Sequence, residues 1–204
     1  MAIKIYIDQG HNPESPNGGA EWYGVREQDV TYAVGVALAK MLRENGAFEV
    51  RLSRPTPESQ LGTSNASSLA ARVNGANAFG ADLFLSIHTN AALDTSANGA
   101  EGLVYEIPSS ASAIAKALLA SLVAETGVKN RGVIARPGLY VLRRTAMPAV
   151  LLELGFLSNP SEGAYLASEP ERFAKGIYDG IVEYYGATGH GAKAGCPPRP
   201  HDFR

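Results

Sequence analysis

Two histidines and one glutamate stand where the side chains of an α/β sheet commonly do chemistry. His11 and His88 each follow a short apolar run, and Glu153 ends the apolar run 149–152. Functional groups in open α/β sheets collect at the carboxyl ends of the strands, so these side chains should meet at one edge. The chain has four histidines, and the other two, His190 and His201, lie near its C-terminus.

Two neutral imidazoles and one carboxylate can hold a zinc ion and leave one position open for water, whose pKa then falls to about 7. The third ligand should therefore be acidic. Glu27 follows the His11 loop and opens a predicted helix, so it can point back to the same edge. Glu21, Asp29 and Glu14 are competitors from the same region.

Glu153 suits a different task. Hydrolysis needs a carboxylate off the metal that takes a proton from water and passes it to the leaving amine. A carboxylate that ends a buried apolar strand is costly unless it is paired or functional. A histidine at a strand end can be merely structural. Asp8 either stabilises a turn or orients His11, and we interpret Arg54, Arg72 and Arg131 as structural or solvated.

The apolar pattern alternates between short runs and helical periods. Strands are predicted over residues 3–8, 48–52, 83–87, 102–107, 139–142 and 149–154. Helices are predicted over residues 27–45, 68–79, 111–126 and 169–185. This order predicts an α/β fold: a single domain with a mostly parallel twisted sheet of about six strands and helices on both faces.

The composition is that of a globular domain, with 204 residues, 45% apolar and 19% charged. A net charge of -2 gives no reason to expect nucleic acid or a membrane surface as a partner. The single cysteine, Cys196, excludes an internal disulfide and a zinc site built from thiolates. No run approaches the roughly 20 apolar residues that span a bilayer.

The two ends of the chain differ in character. The N-terminus runs directly into a strand pattern and lacks the features of a signal peptide. We therefore expect the chain to be one of three things: an excised mature domain, a protein released by cell lysis, or a cytoplasmic protein. Residues 186–204 are rich in Gly and Pro with little apolar content, so we expect a domain over 1–185 and a linker stub or surface extension after it.

Four segments together resemble the zinc-dependent N-acetylmuramoyl-L-alanine amidases of the amidase-3 type. They follow the family's order and spacing: Ile7-Asp8-Gln9-Gly10-His11, Gly24-Val25-Arg26-Glu27-Gln28-Asp29-Val30, Ser86-Ile87-His88-Thr89-Asn90 and Met147-Pro148-Ala149-Val150-Leu151-Leu152-Glu153-Leu154-Gly155-Phe156-Leu157-Ser158-Asn159. The similarity runs from about residue 3 to 185. Many relatives carry glycines after the first histidine, whereas this chain has Asn12-Pro13-Glu14, which affects the shape of the cleft rim.

The resemblance implies that His11, Glu27 and His88 hold one zinc ion, that Glu153 is the catalytic glutamate and that Asn90 helps to position substrate. It implies cleavage of the amide between N-acetylmuramic acid and L-alanine in bacterial peptidoglycan. We expect peptidoglycan as the partner, a monomer, and action at the bacterial cell wall, reached through a removed export segment or through lysis. The segment 90–102 is short and polar, so we also expect an open cleft without an inserted helix.

Three alternatives remain at this stage. A zinc peptidase acting within the stem peptide could use the same ligands. A non-catalytic wall-binding module would not need the catalytic glutamate. An iron oxygenase with two histidines and one carboxylate has a different ligand spacing.

Overall fold

The computed structural model describes residues 1–187. The predicted extension over 186–204 lies outside this range apart from its first two residues, and its role as a linker stays a prediction. Cys196, His190 and His201 also lie outside the described residues.

The described chain contains six helices and eight strands. The helices are α1 (Glu27–Asn45), α2 (Asn65–Phe79), α3 (Ser110–Thr126), α4 (Tyr140–Arg144), α5 (Pro160–Ser168) and α6 (Pro170–Tyr185). The strands are β1 (Ile3–Gln9), β2 (Glu21–Trp22), β3 (Val25–Arg26), β4 (Phe48–Leu52), β5 (Leu83–Asn90), β6 (Ala100–Val104), β7 (Asn130–Ala135) and β8 (Ala149–Phe156).

Six of the strands form one sheet in the order β4-β1-β5-β8-β6-β7. Strands β4, β1, β5 and β8 run parallel, whereas β6 is antiparallel to β8 and β7 follows the direction of β6. The predicted α/β domain with a mostly parallel six-stranded sheet is therefore confirmed. Strands β2 and β3 form a separate small hairpin just before α1.

Alternate residues of the central strands pack on opposite faces of the sheet, as the pleat of a strand requires. Ile5 and Ile7 of β1 join the larger apolar core with residues of α1, α3 and α6. Tyr6 of β1 and Phe84 of β5 point to the other face, where they meet α2 and α4. Helices therefore cover both faces, which explains why the strands are apolar nearly throughout.

Three differences from the sequence prediction have local causes. Helix α2 begins earlier than residue 68, because Ser64 and Ser67 form a reciprocal cap at its start. Helix α5 was not predicted, although Asn159 caps it and Pro160 occupies its first turn. The edge strand β7 was also not predicted, because it is mostly polar or half-exposed.

The predicted strand over residues 139–142 is wrong. These residues enter the short helix α4, in which the consecutive residues Val141 and Leu142 are both buried. Four apolar residues are too few to separate a strand from a helix by period. Packing against α2 decided the outcome here.

The reversed direction of β6 matters for the site. Because β6 runs against β8, its amino end lies beside the carboxyl end of β8. Glu101 near the start of β6 is the register partner of Glu153, and Glu153 in turn is the register partner of His88 on β5. Three ionisable side chains from three adjacent strands therefore stand in one row.

Among residues 1–187, none of the helices combines the length and apolar character needed to cross a bilayer.

Candidate metal centre

His11, Glu27 and His88 come together at the carboxyl edge of the sheet. One nitrogen or oxygen from each side chain lies within 4.8 Å of the others. His11 follows β1, Glu27 is the first residue of α1, and His88 lies in β5. The two imidazole rings meet edge to face, with their centroids 4.8 Å apart.

The Glu27 carboxylate lies between the two rings. Its Oε1 is 3.0 Å from Nδ1 of His88, and its Oε2 is 3.5 Å from Nε2 of His11. The backbone N–H groups of Thr89 and Ala20 donate to Oε1 and Oε2, at 3.0 and 3.1 Å. One donor from strand β5 and one from the loop before β2 thus fix the carboxylate, although it is almost fully buried.

These donors fit a zinc ion. Two ligands on one tetrahedral zinc lie about 3.3 Å apart, since each metal–ligand bond is about 2.0–2.1 Å. Each Glu27 oxygen lies near this distance from one histidine, 3.0 Å from Oε1 to Nδ1 of His88 and 3.5 Å from Oε2 to Nε2 of His11, and one donor atom from each of the three residues lies within 4.8 Å of the others. The set also combines two imidazoles with one carboxylate, which leaves a fourth position for water or substrate.

Gly10 makes this arrangement sterically possible. A Cβ atom added to Gly10 would lie 2.1 Å from Cε1 of His88, far inside van der Waals contact. The backbone before His11 therefore passes directly against the second imidazole. Any side chain at this position would push His88 away.

The electrostatics of the cluster centre on Glu27. Burial alone would raise the pKa of Glu27, but the hydrogen bond and the charge of His88 outweigh burial and lower the pKa to about 2. Burial would likewise lower the pKa of His88, but its hydrogen bond to Glu27 and the carboxylate charge raise it. Burial and the neighbouring His88 lower the pKa of His11, which favours the neutral form that binds metals.

Glu153 stands beside this cluster without belonging to it. Its Oε2 is buried and has no hydrogen-bond partner among residues 1–187. Burial raises the pKa of Glu153 to about 7; the charge of His88 opposes this shift, while the charges of Glu27 and Glu101 add to it. A carboxyl group with this pKa can both accept and return a proton near neutral pH.

Asn90 lies two residues beyond His88 on β5. Its Nδ2 donates to Oε1 of Glu101 at 3.3 Å, and its Oδ1 accepts the N–H of Ala91 at 2.9 Å. Glu101 also pairs with Arg131, whose Nε lies 3.0 Å from Oε2. Asn90 is thus held by its neighbours at the edge where Glu153 lies.

The three competing carboxylates are elsewhere. Glu14 and Asp29 extend into solvent beside Arg26, at 3.1 and 3.8 Å from its guanidinium nitrogens. Glu21 is an exposed residue of β2. Among the described acidic groups, Glu27 alone joins the two histidines in a cluster that could hold a metal.

Asp8 forms no hydrogen bond to His11. Its two oxygens instead accept from Nη1 of Arg72 at 2.6 Å and from Oγ of Ser86 at 2.9 Å. Arg72 is buried, and its Nη1 also donates to the backbone oxygen of Gln9. Asp8 is therefore structural, but it pairs with Arg72 and Ser86 instead of stabilising a turn or orienting His11, and Arg72 is structural as predicted.

Sequence analysis missed two residues at this site. Glu101 directly precedes the apolar residues of the predicted strand 102–107, and only the reversal of β6 brings it to this edge. Asn17 touches His11, with Oδ1 3.0 Å from Nδ1 of the ring. The Pro16-Asn17-Gly18 turn was a visible signal in the sequence, but a turn signal alone does not indicate what its side chain contacts.

The centre is open to solvent. The side chains of His11 and His88 retain 26% and 18% of their exposure. Residues 91–99, between β5 and β6, form a loop without a helix, so the expectation that no helix is inserted in this segment is confirmed. An α/β domain with such a cluster at its strand ends, and a free carboxyl beside it, is typical of metal-dependent hydrolases.

Comparison with known proteins identifies the family. The model of the N-acetylmuramoyl-L-alanine amidases matches residues 5–183, and the chain belongs to this family. The germination-specific N-acetylmuramoyl-L-alanine amidase of Bacillus subtilis is 32% identical over 193 residues, covering 91% of this chain and 81% of the relative. An uncharacterized cell wall amidase of Bacillus anthracis is 34% identical over 200 residues, covering 93% of this chain.

The solved catalytic domain of CwlV, an amidase of Bacillus (Paenibacillus) polymyxa var. colistinus, is similar in both sequence and structure. It is 33% identical and superposes with a TM-score of 0.79 over 91% of this chain and 99% of that domain. The alignment spans only 37% of the Bacillus anthracis relative, so this chain corresponds to one part of that protein.

Proposed function

We propose that this chain hydrolyses the amide bond between N-acetylmuramic acid and the L-alanine of the stem peptide in peptidoglycan, with one bound zinc ion. Membership of the amidase family supports the bond and the substrate. The observation that carries the metal chemistry is the cluster of His11, Glu27 and His88, with donor atoms within 4.8 Å of one another.

In this proposal His11, Glu27 and His88 are the three protein ligands of the zinc ion. A bound zinc ion polarises a carbonyl oxygen and lowers the pKa of water. Glu27 is prepared for this role because two backbone N–H groups already orient its oxygens toward the two rings. The low pKa of Glu27, about 2, keeps the ligand ionised at every pH at which the enzyme would work.

Glu153 carries the proton in the same scheme. Its carboxylate takes a proton from the attacking water as the oxygen bonds to the lactyl carbonyl carbon. It then gives this proton to the L-alanine nitrogen as the carbon–nitrogen bond breaks, so that a carboxylic acid and a free amine result. The unpaired Oε2 supports this role because no other described group uses its lone pairs.

We assign Asn90 to the positioning of substrate. Its contacts with Glu101 and Ala91 hold it rigidly at the edge of the sheet near Glu153. A second lone pair on Oδ1 stays available for a donor on the substrate. We further propose that the protein acts at the bacterial cell wall, because a relative is named a cell wall amidase. We also propose that it acts as a monomer.

Product analysis on purified peptidoglycan tests the function. The protein is incubated with sacculi, with and without a chelator, and the soluble products are identified by mass spectrometry. We expect intact stem peptides that begin with a free L-alanine amine, and no release in chelator until zinc is restored. Shortened stem peptides would instead indicate a peptidase and overturn the proposal, as would undiminished release in the metal-free protein.

A further inference from the structure

The loop that carries His11 is tied to the protein through Asn12. This residue is fully buried, and its Nδ2 donates to the backbone oxygens of Pro16 and Leu61 at 2.8 and 2.9 Å. Its Oδ1 accepts from the backbone N–H of Leu61 at 3.2 Å and from Nη2 of Arg72 at 3.1 Å. Asn12 therefore links the loop that carries His11 to the buried side chain of Arg72 on α2 through a hydrogen bond.

Asn17 closes this loop over His11. Its backbone oxygen accepts the N–H of Asn12 at 2.8 Å. Its Nδ2 donates to Oγ of Ser68 on α2 at 3.0 Å, which orients the amide so that Oδ1 points to the imidazole of His11. Asn17 adopts a φ of 68°, a left-handed conformation that asparagine tolerates better than most residues.

The amide orientation determines the proton on His11. Oδ1 of Asn17 can only accept, so Nδ1 of His11 must be the donor across the 3.0 Å contact. In a neutral ring Nε2 is then the atom with the free lone pair, and this is the nitrogen that faces Glu27 at 3.5 Å. One hydrogen bond thus sets both the tautomer and the direction of the ring.

We propose that Asn17 is a positioning residue for the metal centre, which holds His11 with its Nε2 lone pair toward Glu27, where these residues would hold the ion. The inference rests on the metal centre of the proposed function. Outer partners of ligating histidines typically change metal affinity 10–100-fold when removed. Here the outer partner is a carboxamide supplied by a residue of the same loop, six positions after the ligand.

The contact is not needed to keep the loop closed. The backbone oxygen of Asn17, together with the side chain of Asn12, already fixes the ends of the turn. His11 itself retains 26% side-chain exposure, so its ring can turn when Asn17 no longer restrains Nδ1. Loss of the amide should therefore affect the ligand more than the fold.

Two variants separate the hydrogen bond from the backbone. Asn17→Gly removes both the acceptor toward His11 and the donor to Ser68 while suiting the positive φ, so backbone strain does not confuse the result. Asn17→Asp keeps an acceptor toward His11 and tolerates the same φ, and the Ser68 hydroxyl can donate to the second oxygen. Tyr23→Gly is the matched control, because Tyr23 also has a positive φ, of 52°, and is exposed.

Zinc affinity is measured by competition with a chromogenic chelator, and thermal unfolding is followed in excess chelator. We expect Asn17→Gly to bind zinc about 10–100-fold more weakly, Asn17→Asp to bind at least as tightly as the wild type, and Tyr23→Gly to be unchanged. The metal-free unfolding temperatures should stay close to that of the wild type. Equal zinc affinity in Asn17→Gly, or failure of Asn17→Asp to restore it, would overturn the inference.

The readout does not depend on peptidoglycan. If Asn17→Gly binds zinc about 10–100-fold more weakly than the wild type, yet the wild type releases no L-alanine amine from sacculi, the proposed activity fails and the positioning role stands. If all variants bind zinc equally and release peptides, the activity stands and the positioning role fails.

Discussion

Glu153 of β8 is the direct register partner of His88 on β5, in the parallel part of the sheet. The backbone ladder thus fixes the candidate proton carrier one strand away from a candidate metal ligand. Strand positions are held more rigidly than loop positions, which suits a proton transfer that depends on a few tenths of an ångström. This relationship provides the basis for the first two predictions.

Replacing Glu153 by Gln should abolish most activity and leave the metal centre intact. The amide cannot accept a proton from water, and general acid–base groups typically contribute about 10²–10⁴-fold. Peptide release from sacculi should fall at least about 100-fold, with zinc affinity unchanged. Glu44→Gln, on the exposed face of α1, is the control and should keep full activity; near-normal activity in Glu153→Gln would reject the role of Glu153.

The same substitution should stabilise the metal-free protein above neutral pH. Burial raises the pKa of Glu153 from 4.5 to about 7. Between pH 4.5 and about pH 7 the folded state therefore binds more protons than the unfolded state. Folding stability from this group therefore falls as pH rises through that window. In urea unfolding at pH 8, Glu153→Gln should be more stable by on the order of 1 kcal/mol, and the gain should vanish near pH 4. An equal gain at both pH values would point to packing rather than charge.

Gly10→Ala should disrupt the metal centre specifically. The added methyl group would lie 2.1 Å from Cε1 of His88, so either the ring or the backbone before His11 must move. Overpacking of this kind costs about 1–3 kcal/mol, and we expect at least a tenfold loss of zinc affinity. Gly18→Ala, in the same loop, is the matched control, because nothing lies within 4 Å of its added Cβ. Comparable zinc affinity in the two variants would contradict the steric argument.

Asp8→Asn should weaken the fold at neutral pH and lose that effect in acid. Asp8 and Arg72 form a buried pair whose closest atoms are 2.6 Å apart. Burial alone would raise the pKa of Asp8, but the charge of Arg72 outweighs burial and lowers the pKa. A depressed pKa gives stability that is present above the unfolded value of 3.8 and is lost as pH falls through the folded value. Breaking one partner of such a pair costs about 3–5 kcal/mol.

Urea unfolding at pH 7 and at pH 3 tests this prediction, with Asp179→Asn as the control. Asp179 forms an exposed pair with Lys175, and such pairs contribute roughly 0–1 kcal/mol. The destabilisation of Asp8→Asn should be several times larger than that of the control at pH 7, and smaller at pH 3 than at pH 7. The same loss at both pH values would show that the charge of Asp8 is not the cause.

Much of the fold followed from the sequence because its signals are local. The long helices have regular apolar periods, so α1 and α6 were predicted to within one residue of their observed bounds. The central strands are apolar on both faces, so β5 was predicted from its correct start, although it continues to residue 90 instead of ending at 87. The failures were short or polar elements. Residues 140–142 form part of helix α4, which packs with α2 in one apolar cluster, and no local pattern records that contact.

The carboxylate of Glu27 illustrates the limit at the site. Spacing alone left Glu27, Glu21, Asp29 and Glu14 open, and the family resemblance favoured Glu27. In the structure Glu27 is the one that lies between the two histidines, because it opens α1 and receives N–H groups from Ala20 and Thr89. Its role as a ligand stays a prediction until a metal is measured.

The sequence by itself predicted that His11, His88 and Glu153 lie at the carboxyl ends of strands of an α/β sheet; in the structure His11 follows β1, whereas His88 and Glu153 lie within β5 and β8, which continue to residues 90 and 156. Parallel strands align their carboxyl ends, so this placement follows from chain order and hydropathy alone. The tertiary structure alone decided what surrounds these residues. Glu101 reaches Glu153 because β6 runs in reverse, and Asn17 reaches His11 because a loop closes through Asn12. Such contacts depend on strand direction and on how a loop closes, and neither leaves a periodic trace in the sequence.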